Sequence, residues 1–405
     1  MEHFFSNSSA PSWFLSAFPT RAPRISTLVD SRHRNPPREN YRRRFRIHHH
    51  IKLHRVLLDL KIQIHLYSQH HPNRSSGLEI TAREHSCPAA MAFTMHSHSG
   101  QFCSHAVDQL EDIIKHAISV GFKTIGLTEH MPRYYESDLY PEELISGAEA
   151  ALAALPRRHE AYLAEAQRLQ AAYASQIHVL IGFEAEFIRP AYGPLVTQLA
   201  AASPCVDYFI GSVHHVHGVP IDYDAATMRA AIAASSRGTE EALYEDYYDL
   251  QHQMLAALRP RVVGHFDLVR LLSEDPARDV RQWTGVWERV RRNLRLAAEQ
   301  GAWLECNSAA LRKGLAEPYP CRVIAEEWLR LGGKFTLSDD SHGIGHVATN
   351  YLGAVKYLQS LGVEHVWTFR RRPHPWASDQ GRASLEDVAV PLSEIRAQFE
   401  PVAKQ

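Results

Sequence analysis

Short apolar runs alternate along most of the chain with stretches whose apolar residues recur at i, i+3, i+4 and i+7. The runs are MAFTMHS, KTIGLTEH, HVLIGFEAEFI, DYFIGSVHHV, RVVGHFDLV, AWLECNSA and KFTLSDDSH, seven in all between residues 91 and 342. Their length and spacing predict strands joined by crossover helices, the pattern of an α/β fold with a parallel sheet or barrel. The stretch 105–122 predicts the first such helix: Val107, Leu110, Ile113, Ile114, Ala117 and Ile118 fall on one face, His105 opens it and Gly121 stops it. Two connections exceed what a crossover needs. Residues 141–174 predict a long or paired helix with Pro156 as a break, and residues 224–258 predict two more helices. A last unit adds a helix and a closing strand near Val366. From residue 91 to the end this is one domain of barrel size, with no Gly/Ser/Pro linker dividing it.

The pattern fails before residue 91. Residues 1–90 run through SRHRNPPRENYRRRFRIHHHIKLHR, hold ten of the 26 histidines, and show only a short apolar piece at 56–67. Such a segment buries too little apolar surface to offset its chain entropy, so a disordered extension is expected. A basic tail for nucleic acid or an acidic surface, an organelle leader, and a metal site at His48, His49 and His50 are the competing readings. Acids recur at Glu39 and Asp59, and no aromatic spacing suits base stacking. A gene-model artefact, with translation starting at Met91, is a further reading. The net charge of −1 conceals this split: 14 Lys+Arg against 6 Asp+Glu in residues 1–90, 30 against 39 afterwards.

The five cysteines, Cys87, Cys103, Cys205, Cys306 and Cys321, are scattered and form no C-x-x-C, which supports neither a disulfide framework nor a thiolate zinc site. A reducing, cytoplasmic setting is expected. No apolar run approaches the roughly 18 residues of a membrane span. The acidic balance of residues 91–405 lacks the basic stripe of a polynucleotide channel, so neither membrane nor nucleic acid is an expected partner.

At this histidine content one H-x-H pair is expected about once by chance, so His96 and His98 alone decide nothing. Position decides more, because ligands of such folds gather at the C-terminal ends of strands. There the chain places His96 and His98, with His105 just beyond; then Glu129 and His130, Glu184 and Glu186, His214 and His215, His265 and Asp267, and finally Asp339, Asp340 and His342. A period of two puts His96 and His98 on one face, about 7 Å apart along the strand. His116, His159 and His252 fall on helix patterns and read as solvated or packed. Imidazoles with a few carboxylates suit divalent zinc, manganese or iron with positions left for water and substrate. The donors outnumber what one ion can use, which predicts two or three ions sharing a carboxylate bridge and a hydrolytic site.

In this order the motifs HSHS, LTEH, GFEAEF, GSVHH, GHFD and SDDSH resemble the polymerase-and-histidinol-phosphatase (PHP) superfamily, over residues 91–397. FCSHA, LTEHMPR, NSAALRKGLAEPYP and the run from DDSHG to VATNYLGAVKYLQSLGV are most similar to the fungal histidinol-phosphate phosphatases. The resemblance implies a distorted seven-unit (βα) barrel and three metals. It implies one ligand set of His96, His98, Glu184 and Asp340; a second of His214 and His265 bridged by Glu184; and a third of His105, His130 and His342. Asp340 is chosen over Asp339 because Asp340-Ser341-His342 supplies the family's D-x-H. Glu129, Glu186, His215 and Asp267 are either partners that orient imidazoles or ordinary polar neighbours.

A phosphomonoester dianion calls for fixed positive charge, and Arg133, Arg312 and Lys313 follow strand ends where they could supply it. Asp340 or a site histidine such as His342 would pass a proton to the leaving alkoxide. The implied reaction is hydrolysis of L-histidinol phosphate to L-histidinol and phosphate in histidine biosynthesis. The alternatives are a PHP phosphoesterase for another small phosphate ester or nucleotide, and a non-catalytic metal-binding scaffold. Oligomeric state is left open.

Overall fold

A computed structural model describes residues 92–372 and 384–400. The expected extension 1–90, with its His48–His50 run and its apolar piece, lies outside the described residues.

Seven parallel strands follow one another around the molecule: β1 Phe93–Thr94, β2 Thr124–Leu127, β3 His178–Glu186, β4 Tyr208–Ser212, β7 Val262–Val263, β8 Trp303–Asn307 and β9 Lys334–Ser338. After β4 comes a two-residue turn between β5 His215–Val216 and β6 Val219–Pro220. His217 (φ 55°) and Gly218 (φ 78°) make that turn in the left-handed region, as a type I′ hairpin requires. The seven strands form one sheet in chain order, and the edges approach closure: Met95 N donates to Leu337 O (3.2 Å), His98 N to Ser341 O (2.7 Å), and Ser97 bridges Ser341 in parallel. Each strand gives residues to one continuous core, among them Phe93, Ile125, Ile181, Ile210, Val263, Leu304 and Leu337. Strands covered on both faces read as unbroken apolar runs, which is why the seven were visible in the sequence.

Two helices and one strand depart from expectation. The first, Leu110–Ser119, buries Leu110, Ile113, Ile114 and Ala117 and starts later than the periodicity suggests. His105 therefore sits in a loop, and Val107 is 62% exposed. Pro156 does not break the first long connection: Ala148–Ala172 is one helix through it. Its buried stripe of Ala151, Leu155, His159, Tyr162, Ala166 and Leu169 supplies packing that outweighs the hydrogen bond a proline removes. The expected closing strand, β10 His365–Arg372, pairs antiparallel with β11 Ser384–Pro391 and does not join the barrel sheet. Phe369 of β10 stacks on Trp303 (ring centroids 4.4 Å) and packs on Tyr208 (5.5 Å), both at the N-terminal ends of their strands. The hairpin thus caps the end of the barrel opposite the strand termini that carry His, Glu and Asp. The pair expected over 224–258 is present as Ala225–Ala234 and Glu240–Leu258, the first opened by an Asp224/Thr227 capping box. No helix among the described residues is long and apolar enough to cross a membrane.

Candidate metal centre

All nine residues expected as ligands converge at the C-terminal end of the barrel. Glu184, in β3, divides its oxygens between two groups. Oε1 lies 2.9 Å from His265 Nε2 and 3.2 Å from His214 Nε2, which stand 3.2 Å apart. Oε2 lies 3.3 Å from His96 Nε2, 3.5 Å from His98 Nε2 and 3.1 Å from His130 Nδ1. Asp340 Oδ1 completes the first group, 3.4 Å from His98 Nε2 and 3.7 Å from His96 Nε2. A third group surrounds His105 Nε2 and His130 Nε2, 3.2 Å apart, with His342 and Cys103 donor atoms inside the same 4.8 Å limit.

Ligand atoms about 2.0–2.1 Å from a tetrahedral ion stand roughly 3.3 Å from one another, so these separations fit donors arranged around shared ions. Two further features agree. His96 Nε2 and His98 Nε2 are buried without a hydrogen-bond partner, a cost that coordination would remove. The donors are nitrogen and oxygen with a bridging carboxylate, the set expected for borderline divalent metals. The cluster is able to bind metal.

Asp339, adjacent in sequence, faces elsewhere: it accepts from Thr94 Oγ1 (3.1 Å), Ser341 N (3.2 Å) and Ala348 N (2.7 Å). Asp340 takes φ 48° to turn its carboxylate the other way. Gly264 lets the chain approach β4 just before His265, since a Cβ there would meet Ser212 Oγ at 2.5 Å and Ile210 Cγ2 at 2.8 Å.

Surrounding groups fix the imidazoles. Glu305 Oε1 faces His96 Nδ1 at 2.7 Å, Glu142 Oε1 faces His105 Nδ1 at 3.2 Å, and the Asp340 carbonyl faces His342 Nδ1 at 3.0 Å. Each contact leaves the opposite ring nitrogen turned into the cluster. Glu186 Oε1 approaches His130 Nδ1 (3.2 Å) and accepts from Arg133 Nη1 (2.6 Å). Glu129 accepts from Ser99 N (2.8 Å) and Ser99 Oγ (2.6 Å), and Asp267 pairs with Arg270 (2.8 Å) and Cys321 N (2.8 Å). His215 packs on Tyr140, ring centroids 5.1 Å apart. Of the helix histidines, His159 is buried between Tyr162 and Phe183, while His116 and His252 are partly exposed.

Sequence reasoning missed Glu305, Glu142 and Cys103. Glu305 is the one acid in the AWLECNSA run, and its signal was a carboxylate inside a strand predicted to be covered on both faces. Cys103 lay in FCSHA, two residues from His105. Glu142 follows Pro141 in a loop and carried no signal.

The cations differ from expectation. Arg133 is buried and already paired with Glu143 and Glu186. Arg312 uses Nη1 and Nη2 on the carbonyls of Asp339 (2.9 Å) and Asp340 (3.0 Å). Lys313 is exposed. Arg133 is therefore not free to supply its charge to a phosphate, because Glu143 and Glu186, 10 and 53 residues away along the chain, hold its donors.

The protons of the cluster are distributed unevenly. Burial works against ionising Glu184 and Asp340, yet His214 and His96 hold the first, and His96 and His98 the second, well below the usual carboxylate range. Burial also disfavours charged imidazoles, but neighbouring acids, Asp340 and Glu305 for His96, and for His130 the Cys103 thiol with Glu184, raise both well above the ordinary value. His105 rises to about 9 against its burial, through Cys103 and Glu142. His98 falls to about 3 through burial and the His130 charge. Burial raises Glu129 to about 8. Imidazolium charge thus balances the carboxylates where the positive charge of ions would otherwise do so.

The family model described as PHP domain matches residues 94–309. A Schizosaccharomyces pombe protein named "Probable histidinol-phosphatase" is 40% identical over 284 residues, 70% of this chain and 91% of that one. The histidinol-phosphatase of Saccharomyces cerevisiae is 31% identical over 65% of this chain and 87% of its own. The fold is similar to that of the Lactococcus lactis histidinol phosphate phosphatase, solved with zinc, L-histidinol and phosphate (TM-score 0.53, 20% identity, 72% of this chain and 98% of that one). With the family model spanning more than half of its length and a relative at 40% identity, the chain belongs to the PHP domain family.

Proposed function

We propose that this chain is a metal-dependent phosphomonoesterase that hydrolyses L-histidinol phosphate to L-histidinol and phosphate, in the cytoplasm, as a step of histidine biosynthesis. The observation that carries the hydrolytic reading is Glu184, whose two oxygens face two separate groups of imidazole nitrogens at 2.9–3.5 Å. The substrate is supported by the names of the Schizosaccharomyces pombe and Saccharomyces cerevisiae relatives. Two or three divalent ions are proposed, held by His96, His98, Glu184 and Asp340, by Glu184, His214 and His265, and by His105, His130 and His342. Zinc is favoured by the Lactococcus lactis complex, with manganese and iron suited by the same donors. When bound, such ions supply Lewis acidity that activates water and neutralises phosphate charge.

The chain's own residues do the rest. Glu305, Glu142 and the Asp340 carbonyl hold their imidazoles in one orientation. Asp340 directs Oδ1 at His96 and His98, while Oδ2 meets only Asn307 Nδ2, at 3.4 Å. Ionised, that oxygen can accept a proton from the attacking water and return it, directly or through His342, to the leaving alkoxide. Arg312 brings positive charge beside the Asp340 backbone, and it and the exposed Lys313 next to it are assigned to the phosphate side. Arg133 acts by positioning His130 through Glu186. The test is phosphate release from L-histidinol phosphate, p-nitrophenyl phosphate and a nucleoside monophosphate, before and after chelation. A chelator-sensitive preference for histidinol phosphate, lowered roughly 100-fold or more in His265→Ala, is expected. Equal turnover of all three esters would remove the substrate assignment, and turnover indifferent to chelation would remove the metal.

A further inference from the structure

We infer that Cys103 is a thiolate ligand, the fourth protein donor to the ion held by His105, His130 and His342. This rests on the metal reading above and goes beyond it, because imidazoles and carboxylates alone were expected to bind.

The geometry of the loop after β1 is the ground for it. Cys103 Sγ and one nitrogen each of His105, His130 and His342 lie within 4.8 Å of one another. Among the described residues no other cysteine belongs to such a group: Cys205 Sγ lies 3.0 Å from Ser203 Oγ, and Cys306 is within β8. Cys103 is 5% exposed and free of any disulfide, so its sulfur faces the cluster and not solvent. The backbone holds it there. Cys103 N donates to Ser99 O (2.9 Å), Gly100 N to Val107 O (3.1 Å), and Val107 N to His342 O (2.9 Å), which ties the loop to the strand end that carries His342. A side chain at Gly100 would meet Val107 Cα at 2.7 Å, so the closed shape of the loop depends on glycine.

The partner nitrogens are prepared as well. Glu142 occupies His105 Nδ1, so Nε2 is the atom directed inward, and it stands 3.2 Å from His130 Nε2. Three imidazoles and one sulfur make a four-donor set of the kind that holds zinc without an open position. Coordination would release the thiol proton to solvent. A sulfur ligand also discriminates: it favours zinc over manganese, so this position should keep zinc when the sulfur-free groups around Glu184 exchange.

Cobalt(II) gives a readout independent of turnover. Metal-free protein titrated with cobalt should develop a near-ultraviolet thiolate-to-cobalt charge-transfer band. In Cys103→Ser that band should vanish and one ion should bind about 10-fold or more weaker, while the remaining ions fill as before. His105→Ala should lose the band with the cysteine still present. In the wild-type chain, metal should protect one thiol from a disulfide reagent, a measurement that holds even if the serine variant folds poorly. Full cobalt loading without the band, or a band that survives Cys103→Ser, overturns the assignment of Cys103 and leaves the other ligand groups standing. Failure to bind cobalt at all overturns the metal reading itself.

Discussion

Glu305 receives four contacts at once: His96 Nδ1 at 2.7 Å, Ser338 Oγ at 2.5 Å, His265 N at 2.8 Å and Asn307 Nδ2 at 3.1 Å. Burial favours its neutral form, but the His96 charge holds it below the usual carboxylate value. An ionised Glu305 can only accept, so it fixes one proton of His96 on Nδ1, and Nε2, facing Glu184 and Asp340, is the nitrogen that sheds its proton when an ion binds. An amide could instead offer an N–H to the same nitrogen and favour the wrong tautomer. Glu305→Gln is therefore expected to fold normally by circular dichroism and to lose about 10- to 100-fold in metal affinity, measured by competition with a chelator. Unchanged affinity would reduce Glu305 to a structural hub for the β8–β9 strand ends. The residue escaped sequence reading for a physical reason: a strand buried on both faces shows no alternation that would say which way its acid points.

Elements were legible where one periodicity dominated. The seven strands each lie within the runs read from the sequence, because covered parallel strands need continuous apolar residues. Boundaries and exceptions were not legible, because they depend on tertiary contacts. The helix expected from His105 starts at Leu110, since the intervening loop is held by Gly100, Val107 and His342 instead of its own backbone ladder. Pro156 stays inside Ala148–Ala172 because six residues of one face are buried and pin the helix on both sides of it. It remains a local defect, and Pro156→Ala should stabilise the fold by about 1–3 kcal/mol, allowing for the entropy alanine restores to the unfolded chain. A rise of a few degrees in Tm with unchanged metal binding is expected. A fall in Tm would mean that the proline fits this helix better than an alanine does. Similarly the strand expected near Val366 is present as β10 but pairs with β11 outside the barrel sheet, because its Phe369 packs on Trp303 and Tyr208 at the N-terminal ends of the barrel strands.

At the scale of the whole molecule, the fold concentrates Glu184, Glu186, Glu305 and Asp340 in one buried place, where the Arg133 guanidinium offsets part of their charge. Raised imidazoles offset more of it in the metal-free protein: His96 and His130 lie well above the ordinary value, and His105 is at about 9. A histidine raised in the folded state contributes its full stability below the unfolded value of about 6.5 and loses it as pH rises through the folded value. The metal-free fold should therefore weaken as pH rises above 6.5 through His96 and His130, while the rise of His105 to about 9 is offset by its neighbour Cys103, whose thiol is lowered to about 6. Ions require those nitrogens deprotonated, so binding must release protons and strengthen over the same range. Two measurements check this. Calorimetric titration of metal-free protein in buffers of different ionisation enthalpy should report at least one proton released per chain at pH 7.5. The gap in Tm between metal-loaded and metal-free protein should widen from pH 6 to pH 8, with loading worth about 4 kcal/mol at a free-metal concentration 1,000 times Kd. A gap independent of pH, with no proton released, would mean that the imidazoles are already neutral and that something other than their charge balances the buried carboxylates.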